Sequence, residues 1–116
     1  MIVIFKEPGK PACPREIDNT FEACKRLVGG HIQSIDPFDD PVVLICNERG
    51  KQLKLSPNIM LGRKGQIVDI IAGPFFLVGV DGDEFVSLSD DLKDKYLAVL
   101  NTANKHPVYS WPVINI

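Results

Sequence analysis

The chain has 116 residues, of which 45% are hydrophobic and 24% charged; this composition fits one globular domain with a real core and excludes disorder as the main state. Thirteen Lys and Arg are scattered among fifteen Asp and Glu for a net charge of −2, so no basic stripe tracks phosphates and the pattern argues against duplex nucleic acid as a partner. The longest apolar runs, Ile2 to Phe5, Val42 to Cys46 and Pro74 to Val78, fall far short of the ~20 residues of a membrane span. Ile2 to Phe5 is also too short for a signal-peptide core and is followed at once by Lys6 and Glu7, so the expectation is a cytoplasmic protein with no membrane partner.

Met1 to Lys6 reads as a buried strand, broken by Glu7-Pro8-Gly9-Lys10-Pro11, with Arg15 to Ile17 returning beside it as a short partner. Asn19-Thr20-Phe21-Glu22 has the form of an N-cap with a Glu three residues on. The stripe Phe21, Cys24, Leu27 and Val28 follows at helical spacing, and Gly29-Gly30 stops the helix. His31 to Ile35 is a weak strand, Pro37 to Pro41 a solvated loop holding Asp39 and Asp40, and Val42 to Asn47 a strong strand that should be central. Glu48-Arg49-Gly50 turns into Lys51 to Leu55. Ser56-Pro57-Asn58 reads as a breaker and Gly62-Arg63-Lys64-Gly65 as a turn. Gln66 to Ile71 suits a strand or a helical turn, with strand preferred.

Phe75 to Val80 and Glu84 to Leu88 flank Asp81-Gly82, the pairing favoured by a tight type I′ hairpin. Ser87 or Ser89 then caps a second helix with Leu92, Tyr96, Leu97 and Leu100 on one face. The sum is an α+β fold: one domain over residues 1–116, a mostly antiparallel mixed sheet of about five to seven short strands, and two helices. Residues 108–116 form an edge strand or an oligomerisation tail.

Chemistry is sparse. Cys13, Cys24 and Cys46 are odd in number and widely spaced, which gives neither a disulfide framework nor a Cys-x-x-Cys metal knuckle; Cys24 and Cys46 read as core and Cys13 as exposed. Gly50-Lys51 and Gly62 to Gly65 lack the features of a phosphate loop, and Asp81, Asp83 and Glu84 lack the spaced ligands of a calcium loop. His31 and His106 stand in no ligand or triad context. No metal or cofactor is expected, and no catalytic residue is assigned.

A few polar positions remain. Asn47 and Glu48 end the Val42 strand beside Gly50 and Lys51, where rigid scaffolds display ligand-contacting groups, although Asn47 also suits its own turn. Asn58 reads as an Asx turn or a ligand group. Asp69 lies inside an apolar run and must face solvent or be paired, with Arg63 or Lys64 as partners if the pairing is buried.

Glu7-Pro8-Gly9-Lys10, Glu16-Ile17-Asp18-Asn19-Thr20-x-Glu22, Leu27-Val28-Gly29-Gly30, Ile45-Cys46-Asn47-Glu48-x-Gly50-Lys51, Pro57-Asn58 and Ile67-Val68-Asp69-Ile70-Ile71-Ala72-Gly73 together resemble a domain-of-unknown-function family. Its members are small proteins of bacteriophages, plasmids and integrative elements, mainly of Firmicutes. The likeness runs from about residue 1 to residue 88; the last helix and the tail are less typical. It implies no activity, only a setting in which small accessory proteins act against host defences.

In that setting the leading expectation is a non-catalytic module, a homo-oligomer, that sequesters a small nucleotide-like immune signal through Lys10, Asn47, Glu48, Lys51, Asn58, Arg63 and Asp69. The alternative is a protein-interaction module that inhibits a host defence protein, anchored by Tyr109 and Trp111 of the tail or by Phe75 and Phe76. An enzyme using Asp69 or Glu48 as a general base has the least support.

Overall fold

A computed structural model describes all 116 residues. The strands are β1 (Ile2–Lys6), β2 (Cys13–Glu16), β3 (Ile32–Ile35), β4 (Val42–Asn47), β5 (Pro57–Arg63), β6 (Gln66–Ala72), β7 (Phe75–Asp81), β8 (Glu84–Val86) and β9 (Val113–Asn115). The helices are α1 (Phe21–Val28) and α2 (Asp90–Asn101). The fold is α+β and mostly antiparallel, and its nine strands divide into two sheets. One runs β2-β1-β7-β4-β3 with β8 added to β7, and the other runs β6-β5-β9, where β9 joins β5 in parallel.

Strand alternation builds the two cores. On one face of the larger sheet Ile4, Leu44, Phe75 and Leu77 meet Ile59, Leu61 and Ile71 of the smaller sheet, with Tyr96 and Leu100 of α2. On the other face Val3, Phe5, Val43, Ile45, Phe76 and Val78 meet Cys24 and Val28 of α1. Phe75 and Phe76 are both fully buried, one on each face, each stabilising the fold by about 3 kcal/mol or a little less. Neither can serve as a surface anchor. Strand β4 is buried along its whole length between β7 and β3, in keeping with its unbroken apolar run.

Several local readings shift. The cap of α1 is Thr20, whose hydroxyl accepts from Ala23 N at 3.1 Å, while Asn19 instead donates to the Phe85 carbonyl at 3.0 Å. Phe21 is 68% exposed although helical spacing sets it on the face of Cys24 and Val28, because it occupies the first helical position. Ser89 caps α2 through Leu92 N. The loop between β7 and β8 is Gly82-Asp83, one residue later than Asp81-Gly82; only Gly82 has positive φ, at 61°, which is the II′ rather than the I′ requirement.

Ser56-Pro57-Asn58 does not break the chain, since Pro57 opens β5, where a missing donor at the first strand residue is tolerated. Gly62 and Arg63 stay in that strand, and Lys64-Gly65 alone makes the turn into β6, with φ of 52° and 79°. The Asp39-Asp40 loop is only partly solvated: Asp40 accepts from Lys95 Nζ at 2.6 Å and from the Tyr96 hydroxyl at 2.7 Å. Residues 108–116 supply an edge strand, β9, at 113–115. No helix is long and apolar enough to cross a membrane.

Candidate functional site

Lys6 ends β1 on the same side as Ile4, so the pleat directs it toward the smaller sheet, and it is only 3% exposed. Its Nζ donates to Asn58 Oδ1 at 2.7 Å and, at a long 3.5 Å, to the Glu7 carbonyl. Asn58, 1% exposed in β5, donates from Nδ2 to the carbonyls of Lys6 and Gly73, each at 2.9 Å. Those two carbonyls fix the amide, because the flipped form would set its oxygen against both. Lys6 therefore faces a neutral acceptor where a carboxylate would normally stand, and burial lowers its pKa from the usual lysine value.

Three other segments converge on this lysine. Lys10 lies in the β1–β2 connection, where its Nζ sits 3.2 Å from Glu7 in an exposed pair that holds little energy. Asn101, the last residue of α2, clamps that connection by accepting from Ala12 N at 2.8 Å and donating to Ala12 O at 3.0 Å. The tail then folds back. Lys105 bridges Pro112, His106 Nδ1 accepts from the amides of Val108 and Tyr109, and Tyr109 stacks on Trp111 with ring centres 4.9 Å apart. Met60 N donates to the Pro112 carbonyl at 2.8 Å and fixes the tail to β5. The result is a cleft of about 310 Å³ lined by Lys6, Lys10, Lys105, Asn58, Asn101 and Trp111 among others, with no carboxylate in its wall.

The seven polar residues singled out from sequence do not form one pocket. Lys10 and Asn58 belong to this cleft. Asn47, Glu48, Lys51 and Asp69 line a second one of about 290 Å³, between the end of β4 and β6. There three of the four side chains are already engaged within the protein. Lys51 Nζ meets Asp69 Oδ1 at 2.7 Å, the same oxygen accepts from Ile70 N, and buried Asn47 donates to the Val28 carbonyl while accepting from Arg49 N. Asp69 thus pairs with Lys51, and neither Arg63 nor Lys64 is its partner, because the chain after β4 folds over β6 and brings Lys51 onto it. Beside them the Cys46 thiol is pushed up to about 11, by burial first and then by the charge of Asp69. Arg63 lies elsewhere, near Asp39, Asp40 and Lys95.

Lys6, Asn101 and Lys105 were not evident as site residues in the sequence. The one available signal was the lysine itself, placed at the end of an apolar run with its neighbours buried. Of the two tail aromatics, Tyr109 is 54% exposed and Trp111 half-buried against the cleft. Nowhere do three His, Cys, Asp or Glu side chains converge as metal ligands.

Fold and site together define a small two-sheet α+β domain with one cationic cleft. Residues 1–101 match the family described as Domain of unknown function (DUF3846), and the chain belongs to that family. The match runs through α2, further than the resemblance to residue 88 implied, so the second helix is part of the family domain. The tail that carries Lys105 and Trp111 lies beyond it. Comparison with curated proteins and with solved structures returns no match.

Proposed function

We propose that this protein is a non-catalytic binding module that captures a small anionic, nucleotide-like ligand in the Lys6 cleft. The observation that carries this reading is the buried Lys6 ammonium. It has three N–H donors, one strong neutral acceptor in Asn58 and one distant carbonyl, which leaves a donor for a ligand oxygen. In a chain of net charge −2, the cleft gathers three lysines in its wall, of which only Lys10 has an acidic partner, the exposed Glu7 outside the lining, and Trp111 adds an aromatic face of the kind on which a base can stack. Within a phage or mobile element of Firmicutes, such a module would act in the host cytoplasm as a counter-defence protein that sequesters a nucleotide immune signal.

Native mass spectrometry of the protein with cyclic dinucleotides, cyclic trinucleotides and ADP-ribose derivatives tests this. A discrete mass increment, reduced at least tenfold in apparent affinity by Lys10→Ala combined with Lys105→Ala, is the expected result. An empty panel removes the sequestering role. Binding that is unchanged in the double variant moves the site out of this cleft.

One observation favours a second reading, a protein-interaction module: Val108 and Tyr109 are 75% and 54% exposed on a tail otherwise tied down. If these residues join copies in solution, Trp111→Ala, which removes the ring that supports Tyr109, shifts the native mass toward monomer. An unchanged mass rules the tail out as an oligomer interface.

A further inference from the structure

We infer that Lys6 is a nucleophilic amine, and that the cleft takes up small phosphorylated aldehydes or ketones by forming a reversible imine with it. The anionic half of that ligand class rests on the binding reading above; the carbonyl half rests on the amine itself. A lysine reacts only when neutral, and three features of its surroundings make it easier for this ammonium to give up a proton. It is buried in the cleft, its fixed partner is an amide oxygen instead of a carboxylate, and the other charges in the cleft wall are the cations Lys105 and Lys10, the latter in an exposed pair with Glu7. The depression of its pKa by burial agrees in direction. The Asn58 amide, held by two backbone carbonyls, takes one amine N–H and so orients the nitrogen.

The chemistry is balanced without any oxidant or reductant. The nitrogen lone pair attacks the carbonyl carbon, and the C=O pair moves onto oxygen. The two amine protons pass to that oxygen, water leaves, and a C=N bond remains; hydrolysis restores amine and carbonyl. The phosphate of the ligand would meet Lys10 and Lys105, which explains why the two exposed cations flank a buried one.

Pyridoxal 5′-phosphate, an aldehyde with a phosphate, is a suitable probe. The full-length protein is incubated with it at neutral pH, reduced with borohydride and mapped by peptide mass spectrometry. The adduct is expected on Lys6 at least tenfold above the mean of the other lysines, with half-maximal labelling at a lower pH than theirs, and is expected to vanish in Lys6→Met. Adducts spread evenly over exposed lysines, or an unlabelled Lys6, would overturn the inference. The wild-type map and its pH profile decide this even if Lys6→Met does not fold. The two proposals fail separately: nucleotides that bind while Lys6 stays unlabelled remove the imine alone, and a labelled Lys6 with an empty nucleotide panel removes the nucleotide reading alone.

Discussion

Lys6 and Asn58 hold each other twice, once through the lysine ammonium 2.7 Å from the amide oxygen and once through the amide nitrogen 2.9 Å from the Lys6 carbonyl. Lys6 belongs to the six-stranded sheet and Asn58 to the three-stranded one. This pair is therefore a polar rivet between two layers that otherwise meet largely through apolar side chains.

Removing the amide should be far more damaging than removing the amine. In Asn58→Ala the carbonyls of Lys6 and Gly73 lose their buried donor and the ammonium loses its acceptor, a loss of about 3 kcal/mol or more. Lys6→Met strands only the Asn58 oxygen and also relieves a desolvated charge, so its cost should be within about 1 kcal/mol. Urea unfolding of the two variants checks the order; equal losses would mean that the amide is not the organising group.

Stability should fall at both pH extremes through one cluster. The hydrogen bond from Lys95, with that of the Tyr96 hydroxyl, holds the Asp40 carboxyl below its usual value. Its contribution is present above the unfolded carboxylate pKa of about 3.9 and is lost as pH falls through the folded value. Burial first, then the bond to Asp40, raises the Tyr96 pKa, so that contribution is present below about 10 and is lost as pH climbs beyond it. Asp40→Asn should flatten the acid limb of a plot of urea midpoint against pH and keep most of the alkaline limb, because the burial of Tyr96 remains. An undiminished acid limb would assign it to other carboxylates.

Thiol reactivity should separate the cysteines. Cys13 is exposed, whereas Cys24 and Cys46 are buried, with both thiol pKa values raised by burial. A disulfide reagent at pH 8 should titrate one thiol per native chain and all three in denaturant. A second fast thiol in the native protein would show that one of the cores opens readily.

Gly50→Ala should destabilise the protein by about 2 kcal/mol. A Cβ at Gly50 would lie 2.5 Å from the Ala72 carbonyl oxygen, a backbone atom at the end of β6 that cannot turn aside. Thermal unfolding measures this directly, and a variant as stable as the wild type would mean that the loop after β4 shifts freely.

Much of the architecture was legible because the signals were local. The β7–β8 hairpin, the glycine stop of α1 at Gly29 and the pairing of β2 with β1 all follow from residues a few positions apart. Strand β5 was hidden by Pro57, whose breaker reading ignores that a strand can begin with proline. Phe21 was misplaced for a similar reason: helical spacing groups it with Cys24 but does not say where the first turn meets the sheet. The cleft was harder still. Lys6, Asn58, Asn101, Lys105 and Trp111 come from four separate stretches of chain, and only the order of the strands and the return of the tail bring them together. Asn58 could be selected from sequence, but its two backbone acceptors could not.

The parallel pairing of β9 with β5 also has a consequence for how firmly the cleft is held. Met60 faces Val113 across that pairing, so a loop of some fifty residues closes when it forms, and such distant contacts bring no reward until the intervening chain is already organised. The hairpins and α1 can assemble early from near neighbours. The wall that brings Lys105 and Trp111 over Lys6 rests on a three-residue edge strand, which makes it the part expected to let go first. A chain with that strand released would hold most of its fold and have nowhere to seat a ligand.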